Sequence, residues 1–507
     1  MDLFTDYPFT PEPSTPLYQQ LFTHLQTAIL TGRLPGGQKL PSTRALADEL
    51  QLSRNTVVNA YEQLLAEGYL ESVQGSGTFV AKVLPEELLN TSQQHTPPPP
   101  QTQLPVTSQV VLSQRAQAQL TSPQIIPPLP PRLPNGRLRP FSLGMSALDA
   151  FPYPLWARLI NRHVRRMSVG SLIYQDAAGY RPLCEAIAAH VNISRRLRCT
   201  PDQIVIVAGS QGAFNLAARV LLDEGDLVWM EDPGYTGARG AFLGAGAQVI
   251  PVPIDHEGLM VDIGMERAPH ARMVYATPAH QFPLGVPMSL SRRLSLLRWA
   301  KYHDAYILED DYDSEYRFAG RPLATLQELD DAERVIYIGT FSKILAPSLR
   351  IGYLVLPPSL VEPFLQVRQL MDFHHPILEQ AALADFIAEG HFTRHLRRMR
   401  ALFAHRRAAM LQALRALPLE IAAFPVGSHC VGWLPEGMDA PALVQAAAAD
   451  DLNLWLVSQY SIEPVTRDGL VLGYGDHDEA VMKDAVERLS SVMRAVWPRA
   501  THRAVTP

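Results

Sequence analysis

Cysteine is nearly absent from this chain of 507 residues: Cys184, Cys199 and Cys430 are all it has. The count is odd and no two lie close together, which excludes a disulfide framework and a cysteine-rich zinc site and fits a reducing compartment. No run of 18 apolar residues occurs, so no membrane span is expected. The N-terminal stretch from Met1 to Asp6 has neither a basic segment nor an apolar one, so it does not read as a secretory signal. The expectation is a soluble cytoplasmic protein. Strong charge of either sign is also missing. Lys plus Arg number 44 and Asp plus Glu 50, a net of −6, so bulk charge points to no nucleic-acid partner. A hydrophobic share of 47% against 19% charged excludes a disordered chain, and the length calls for two or more folded units.

Proline, by contrast, is abundant, and it is concentrated. Of the 44 residues from 97 to 140, 12 are proline, including Pro97 to Pro100. Residues 91–119 add Gln, Thr and Ser. Such a stretch buries too little apolar surface to offset the entropy of ordering, and its prolines favour extended polyproline II. Residues 83–138 are therefore predicted to be a linker that spans roughly 40 Å or more. It separates a unit at 1–82 from a unit at 139–507. No internal repeat is visible in either.

In the first unit, Leu17, Leu21, Leu25, Ala28 and Ile29 recur at helical spacing up to Gly32. Ser42 is placed to cap a second helix with Leu46, Ala47 and Leu50 inward. Ser53 is placed to cap a third, with Val57, Ala60, Tyr61, Leu64 and Leu65 inward. Two β-like runs, Tyr69–Val73 and Thr78–Val80, follow around Gln74-Gly75-Ser76-Gly77. Three helices and a glycine-tipped hairpin make a winged helix-turn-helix layout. Arg44 stands in the first turn of helix two; Arg54, Asn55 and Thr56 stand in the first turn of helix three, where such folds meet phosphates and base edges. Gly77 belongs to the hairpin tip, where glycine permits close backbone approach. Charge argues for a plainer three-helix module, since residues 1–82 hold 5 basic and 8 acidic residues.

The ordered motif Pro41-Ser42-Thr43-Arg44-Ala45-Leu46-Ala47, Leu52-Ser53-Arg54-Asn55-Thr56-Val57 and Gly75-Ser76-Gly77-Thr78-Phe79-Val80 closely resembles the GntR family of bacterial transcription regulators. The resemblance covers residues 14–81. It implies operator DNA as partner, with Arg44, Ser53, Arg54, Asn55, Thr56 and Gly77 at the DNA face.

The second unit alternates buried-strand patterns with helical ones. The strands are predicted at Gln203–Val207, Leu227–Met230, Met273–Tyr275, Tyr306–Leu308, Val335–Ile338 and Gly352–Leu356, with helices such as Gln211–Leu222 and Ser289–His303 between. That is an α/β unit with a mostly parallel sheet, helices on both faces, and its ligand at the carboxyl ends of the strands. Three polar clusters stand at those ends. Ala208-Gly209-Ser210-Gln211-Gly212 opens a helix and suits a phosphate, although tight strand-to-helix turns often use glycine anyway. Glu309-Asp310-Asp311-Tyr312-Asp313 is open to three readings: a metal site, a solvated loop, or a carboxylate paired with a protonated ring nitrogen. Thr340, Ser342 and Lys343, with Arg350 seven residues on, suit a Schiff base beside a phosphate; a lone lysine would otherwise be a surface charge.

Together the three clusters resemble the fold-type I aminotransferases from Phe141 onward. The resemblance implies pyridoxal 5'-phosphate (PLP) as cofactor and no metal. It places the internal aldimine on Lys343, the pyridinium partner at Asp310 and a hydrogen bond to the ring oxygen at Tyr312. Ser210, Gln211, Thr340, Ser342 and Arg350 would hold the phosphate, Tyr235 would stack on the ring, and Tyr174 would reach the phosphate of a partner subunit. Asp310 is preferred to Asp311 because it projects to the same side of an extended strand as Tyr312. Two positions depart from the family. His280 to Gly285 stand where a turn with an asparagine contact to the ring oxygen is usual, so His280 is the expected substitute. Val471 stands where an arginine usually grips a substrate carboxylate, and Arg467 is near it in sequence.

A GntR-like reader, a long linker and an aminotransferase-like domain together resemble the MocR (GabR-like) subfamily of regulators. That implies a homodimer with exchanged domains that binds double-stranded operator DNA and senses an amine, an amino acid or PLP itself. The alternative, an active PLP-dependent aminotransferase with an attached reader, stays open, with a partial transamination half-reaction between the two.

Overall fold

The computed structural model describes residues 15–82, 112–121, 132–133, 136–318, 323–422, 424 and 426–497. The chain forms two compact units, which divide at Val110 and Val111.

In the first unit, helices α1 (Leu17–Leu30), α2 (Thr43–Leu50) and α3 (Arg54–Ala66) precede the hairpin of β1 (Leu70–Val73) and β2 (Gly77–Val80). Each helix turns one apolar stripe inward. Leu21, Leu25, Leu46, Val57, Ala60 and Leu64 are all fully buried in one core. Both predicted serine caps form. Ser42 Oγ accepts from the Ala45 N–H at 3.2 Å, and Ser53 Oγ accepts from the Thr56 N–H at 3.1 Å. Tyr61 is fastened to the start of α2 through its hydroxyl, which donates to the Pro41 carbonyl at 3.1 Å. The strands pair antiparallel from Leu70–Val80 to Val73–Gly77. Gly75 and Gly77, at φ +80° and +116°, take the left-handed backbone the tip requires.

Most of the predicted linker, 83–111 and 122–131, lies outside the described residues. Within it the structure places one element that proline content did not foretell, helix α4 (Gln114–Thr121). Its stretch is free of proline, Ser113 Oγ caps it through the Ala116 N–H, and Arg115 pairs with Glu224 of the large unit at 2.7 Å.

The large unit is built on an eight-stranded sheet. In chain order its strands are β3 (Ile204–Val207), β4 (Leu227–Asp232), β5 (Gln248–Asp255), β6 (Gly258–Leu259), β7 (Met273–Ala276), β8 (Tyr306–Asp311), β9 (Val335–Thr340) and β10 (Gly352–Val355). In space they run β3-β10-β9-β8-β7-β4-β5-β6. The neighbours from β9 to β5 pair in parallel, and β10 is antiparallel to both β3 and β9. Both faces are covered, which is why the strands read as continuous apolar runs. Val205, Val207, Met230, Tyr275, Leu308 and Ile338 face one core. Their alternates face two others, Ile204, Ile206 and Tyr337 in one and Trp229, Val274 and Ile307 in the next. A second sheet, ordered β11 (Glu420–Ala422), β12 (His429–Trp433), β14 (Gly469–Gly473) and β13 (Trp455–Leu456), is wholly antiparallel. It packs on the long helix His391–Leu414.

Candidate functional site

In the large unit, a cavity of about 330 Å³ opens at the carboxyl ends of the parallel strands. The segment around Gly144, the C-terminal sheet, and residues near the ends of β7, β8 and β9 line it. Nine of the expected cofactor residues line it together: Ser210, Gln211, Tyr235, Asp310, Tyr312, Thr340, Ser342, Lys343 and Arg350.

Lys343 follows β9, and its Nζ donates to the Gly144 carbonyl at 3.0 Å. Gly144 sits at φ +69°, and a Cβ there would lie 2.5 Å from Nζ, so glycine leaves the lysine its place. Burial lowers the Lys343 pKa, against the opposing negative charges of Asp310 and Asp313. A lysine shifted this way is more readily the neutral nucleophile.

Asp310 and Asp311 end β8 and point to opposite faces. Asp310 faces the cavity and accepts from the Tyr275 hydroxyl at 2.9 Å, while its other oxygen is buried without a partner. Burial raises its pKa to about 7; the Tyr275 bond lowers it, and the charge of Asp311 raises it further. Asp311 turns away. Arg195 reaches it at 2.8 Å and Glu315 at 2.9 Å, and the Tyr337 hydroxyl donates to Asp311 at 2.6 Å. The acidic run is thus neither a solvated loop nor one shared site, because its members have separate partners.

At the opposite end of the cavity, the helix Gly209–Leu221 starts at Ala208 with no side-chain cap, which leaves the N–H groups of its first turn open. Arg350 lies against that turn: it donates to the Ala208 carbonyl at 2.7 Å, and a Cβ on Gly209 would sit 3.1 Å from its guanidinium. Ser342 Oγ, also here, is buried and unpartnered. The Gln211 side chain is engaged in holding the Tyr235 loop, through a 2.9 Å bond to the Gly237 carbonyl.

His280 does not line the cavity, contrary to the expected contact with a ring oxygen. It stands behind Tyr312. Its Nδ1 lies 3.0 and 3.1 Å from the two Asp313 oxygens and 2.9 Å from the Tyr312 oxygen. A carboxylate only accepts, so Nδ1 carries the proton and shares it with both neighbours. The Tyr312 oxygen therefore accepts, and its own O–H is left to donate. Gly427, at φ +91°, leaves room for the imidazole, since a Cβ there would meet His280 at 2.1 Å. Val471 is fully buried in an apolar cluster with Val431, Val457 and Tyr460. Arg467 points elsewhere, to the Leu434 carbonyl at 3.0 Å and to Glu420. Tyr174 lies on the surface, 78% exposed, stacked on Phe373 at 4.8 Å.

Sequence reasoning missed the far wall, which comprises Leu143, Met145, Phe282, Ser428, His429, Asn453, Trp455 and Tyr460. These come from four separate stretches of the chain and carry no local motif. Glu231 was also missed. It is buried at the end of β4, where it accepts from Thr277 Oγ1 at 2.5 Å, and burial raises its pKa to about 7.

In the first unit, Arg44, Ser53, Arg54 and Asn55 are exposed at the helix starts, Thr56 is half-buried beside them and Gly77 is exposed at the hairpin. The Thr56 and Ser53 hydroxyls meet at 2.8 Å, so one of the two protons is tied up inside the cap. Lys39 reaches over the Phe79 ring at 5.9 Å, beside the tip.

Comparison with known proteins agrees unit by unit. Residues 17–80 match the family of bacterial regulatory proteins, gntR family, and residues 141–487 match aminotransferase class I and II. The chain is 38% identical, over 96% of its length and 95% of the other's, to a probable rhizopine catabolism regulatory protein MocR from Rhizobium meliloti. It is 30% identical to the pyridoxine biosynthesis transcriptional regulator PdxR of Corynebacterium glutamicum, over 97% of this chain and 99% of that one. Among solved structures, an archaeal alanine:glyoxylate aminotransferase aligns with 71% of this chain and 92% of its own, at TM-score 0.67 and 27% identity. The α-aminoadipate aminotransferase LysN of Thermus thermophilus, solved with N-(5'-phosphopyridoxyl)-L-leucine, aligns with 70% of this chain and 92% of its own, at TM-score 0.65 and 30% identity.

Proposed function

The chain belongs to the MocR-like regulators of the GntR family, in which a helix-turn-helix domain is joined to a class I and II aminotransferase domain, and from that premise we propose that it is a PLP-dependent transcriptional regulator whose operator affinity responds to a small amine. One observation carries the cofactor reading. A single cavity brings together a lysine of lowered pKa, a carboxylate with an unpartnered buried oxygen, and an uncapped helix start beside an arginine. These are the three chemistries PLP asks for: an amine for its aldehyde, an acid for its ring nitrogen and an anion cradle for its phosphate.

Bound there, PLP supplies an aldehyde that amines condense with reversibly and a ring that withdraws electrons. The chain's own residues do the rest. Lys343 holds the cofactor covalently, kept in position by the Gly144 carbonyl. Asp310, ionised, takes the proton of the ring nitrogen as a partner. Tyr312 offers its free O–H to the ring oxygen, and the His280–Asp313 pair keeps that hydroxyl oriented. Arg350, Ser342, Thr340 and the first turn at Ser210 and Gln211 hold the phosphate, and Tyr235 covers one face of the ring.

The large unit forms a homodimer in this reading. Val169, Leu172, Ile173 and Tyr174 are exposed, together with Leu370 (84% exposed) and Phe373, and the Tyr174–Phe373 stack joins them in one apolar patch. A second copy would cover that patch and receive Tyr174. In the reader, Arg44, Arg54, Asn55 and Thr56 would meet operator DNA, with Gly77 at the wing. An amine entering the cavity competes with Lys343 for its place. The operator response is limited to the effector's preference for one conformation over the other.

Lys343→Ala tests the cofactor reading. The wild type loaded with PLP should absorb near the edge of the visible range, and the variant should lose that band yet still bind operator DNA. An unchanged band in the variant would sink the assignment.

A further inference from the structure

Helix α4 belongs to the stretch that the proline pattern marks as linker, yet it packs on the large unit, against the helix Thr236–Gly244. That helix starts at Tyr235, which lines the cavity. Its first turn is held from the cavity side, where Gln211 Nε2 donates to the Gly237 carbonyl at 2.9 Å. A Cβ on Gly237 would lie 2.6 Å from the Tyr235 ring and 2.7 Å from Gln211 Oε1, so the turn is closed tightly on both. The loop before it is tied to the far wall, the Gly234 N–H donating to the Tyr460 carbonyl at 3.1 Å. Three of the helix's nine residues are glycine, the poorest helix former after proline, so the helix is held by what packs around it. One element thus touches both the cavity and the linker.

Helix α4 depends on its neighbour in turn. Eight residues do not hold a helix alone in water, so α4 is helical while docked and melts when it leaves. Its described ties are slight. Ser113 caps it, the Gln117 N–H donates to the Ser113 carbonyl at 2.9 Å, and the Arg115–Glu224 pair lies over Gly246, just past the end of the neighbouring helix. Both members of that pair are more than half exposed, so it adds little. A weak dock of this kind responds to small changes in what it rests on.

Docking also sets how much chain separates the reader from the large unit. With α4 in place, 29 residues, 83–111, lie between Lys82 and Leu112. With α4 released, the next fastened point is the Arg132–Leu138 bridge, where His477 Nε2 donates to the Leu138 carbonyl at 3.0 Å, and 49 residues, 83–131, lie before it. Each added residue extends the maximum reach by up to roughly 3.5 Å.

We propose that α4 is a latch on the reader's tether, closed while a ring occupies the cavity beside Tyr235 and opened when that ring or the Tyr235 turn shifts. Occupancy gives Tyr235 a face to rest on, which steadies the helix Thr236–Gly244 and the α4 dock upon it. Release lengthens the tether and lowers the effective concentration of the second reader of a homodimer at its half-site.

The latch rests on the reading that PLP occupies the cavity, and trypsin tests the two apart. Arg115 is the only lysine or arginine between Lys82 and Arg132, so a cut there yields fragments 1–115 and 116–507, resolved by intact mass. Proteases cut segments that have opened, so the rate reports the released population. PLP uptake by the full-length protein is followed by absorbance in the same sample. Uptake should slow the Arg115 cut roughly five- to tenfold and leave cutting after Arg54, inside the reader, unchanged. Gly237→Ala, which displaces the turn at Tyr235, should take up PLP and lose most of that protection. Uptake with an unchanged Arg115 rate overturns the latch, as does full protection in Gly237→Ala. Absence of uptake is instead a failure of the cofactor reading, and the latch is then judged in the cofactor-free protein: Gly237→Ala should be cut faster at Arg115 than the wild type, and equal rates overturn it.

Discussion

The reader and the large unit use the same device, the start of a helix, in opposite ways. In the reader, Ser42 and Ser53 close the first turns of α2 and α3 from within, and the arginines that follow point into solvent. In the large unit, the helix at Gly209 has no side chain closing its first turn, and Arg350 lies across it. A capped start with outward arginines suits a polyanion that arrives from outside. An open start at the end of a cavity suits a small anion that becomes part of the fold. The two units differ in the same sense in their acids. The reader's Asp48, Glu49 and Glu71 are exposed, whereas Glu231, Glu309 and Asp310 are buried with pKa values pushed up to about 7.

The two units should part most sharply at Lys343. Lys343→Ala should remove the cofactor band completely and leave operator binding in place, read by absorbance and by electrophoretic mobility. Asp310→Asn comes next. It should weaken PLP by about 2 kcal/mol, measured by equilibrium dialysis, because a charge-assisted hydrogen bond becomes a neutral one.

The pH dependence follows from the same residue. Its folded pKa lies above the ordinary carboxylate value, so its contribution to the stability of the cofactor-free chain is full below about pH 4 and is lost as pH rises through about 7. The ring nitrogen pairs with the ionised form. The melting-temperature gain on adding PLP should therefore grow between pH 6 and pH 8 in the wild type and stay flat in Asp310→Asn, as differential scanning fluorimetry would show.

Two smaller effects belong to the reader. Arg54→Ala should cost about 1–2 kcal/mol of operator binding and leave the absorbance untouched. Ser53→Ala should lower reader stability by about 1 kcal/mol through the lost cap, seen as a shifted denaturation midpoint of that unit. Equal sensitivity of both units to any one of these changes would erase the division of labour.

Local chemistry made much of this legible. Caps, glycine tips and apolar runs are short-range signals, so α1 to α3, the hairpin and the six predicted strands could be read from the chain. The strands β4, β7, β8 and β9 run one to three residues further than their apolar patterns, because Asp232, Asp310, Asp311 and Thr340 are buried by partners remote in sequence. Arg195 and Tyr275 supply two of those partnerships, and neither stood out by itself. Strand β5 was hidden by Pro251 and Pro253, which read as a breaker but sit in the parallel pair with β4. Helix α4 was hidden the other way, by Pro105 and Pro123 on either side of a stretch, 106–122, that has none. The cavity's far wall was illegible because Ser428, Asn453 and Tyr460 acquire meaning only when the second sheet folds over the first.

In the proposed function, the amine chemistry at Lys343 and the DNA chemistry at Arg44 and Arg54 are coupled. That coupling is tested by the operator dissociation constant of the PLP-loaded full-length protein, measured with and without saturating amine, in the wild type and in Lys343→Ala. Coupling changes that constant in the wild type and leaves it unmoved in the variant. The same change in both, or none in either, would contradict it.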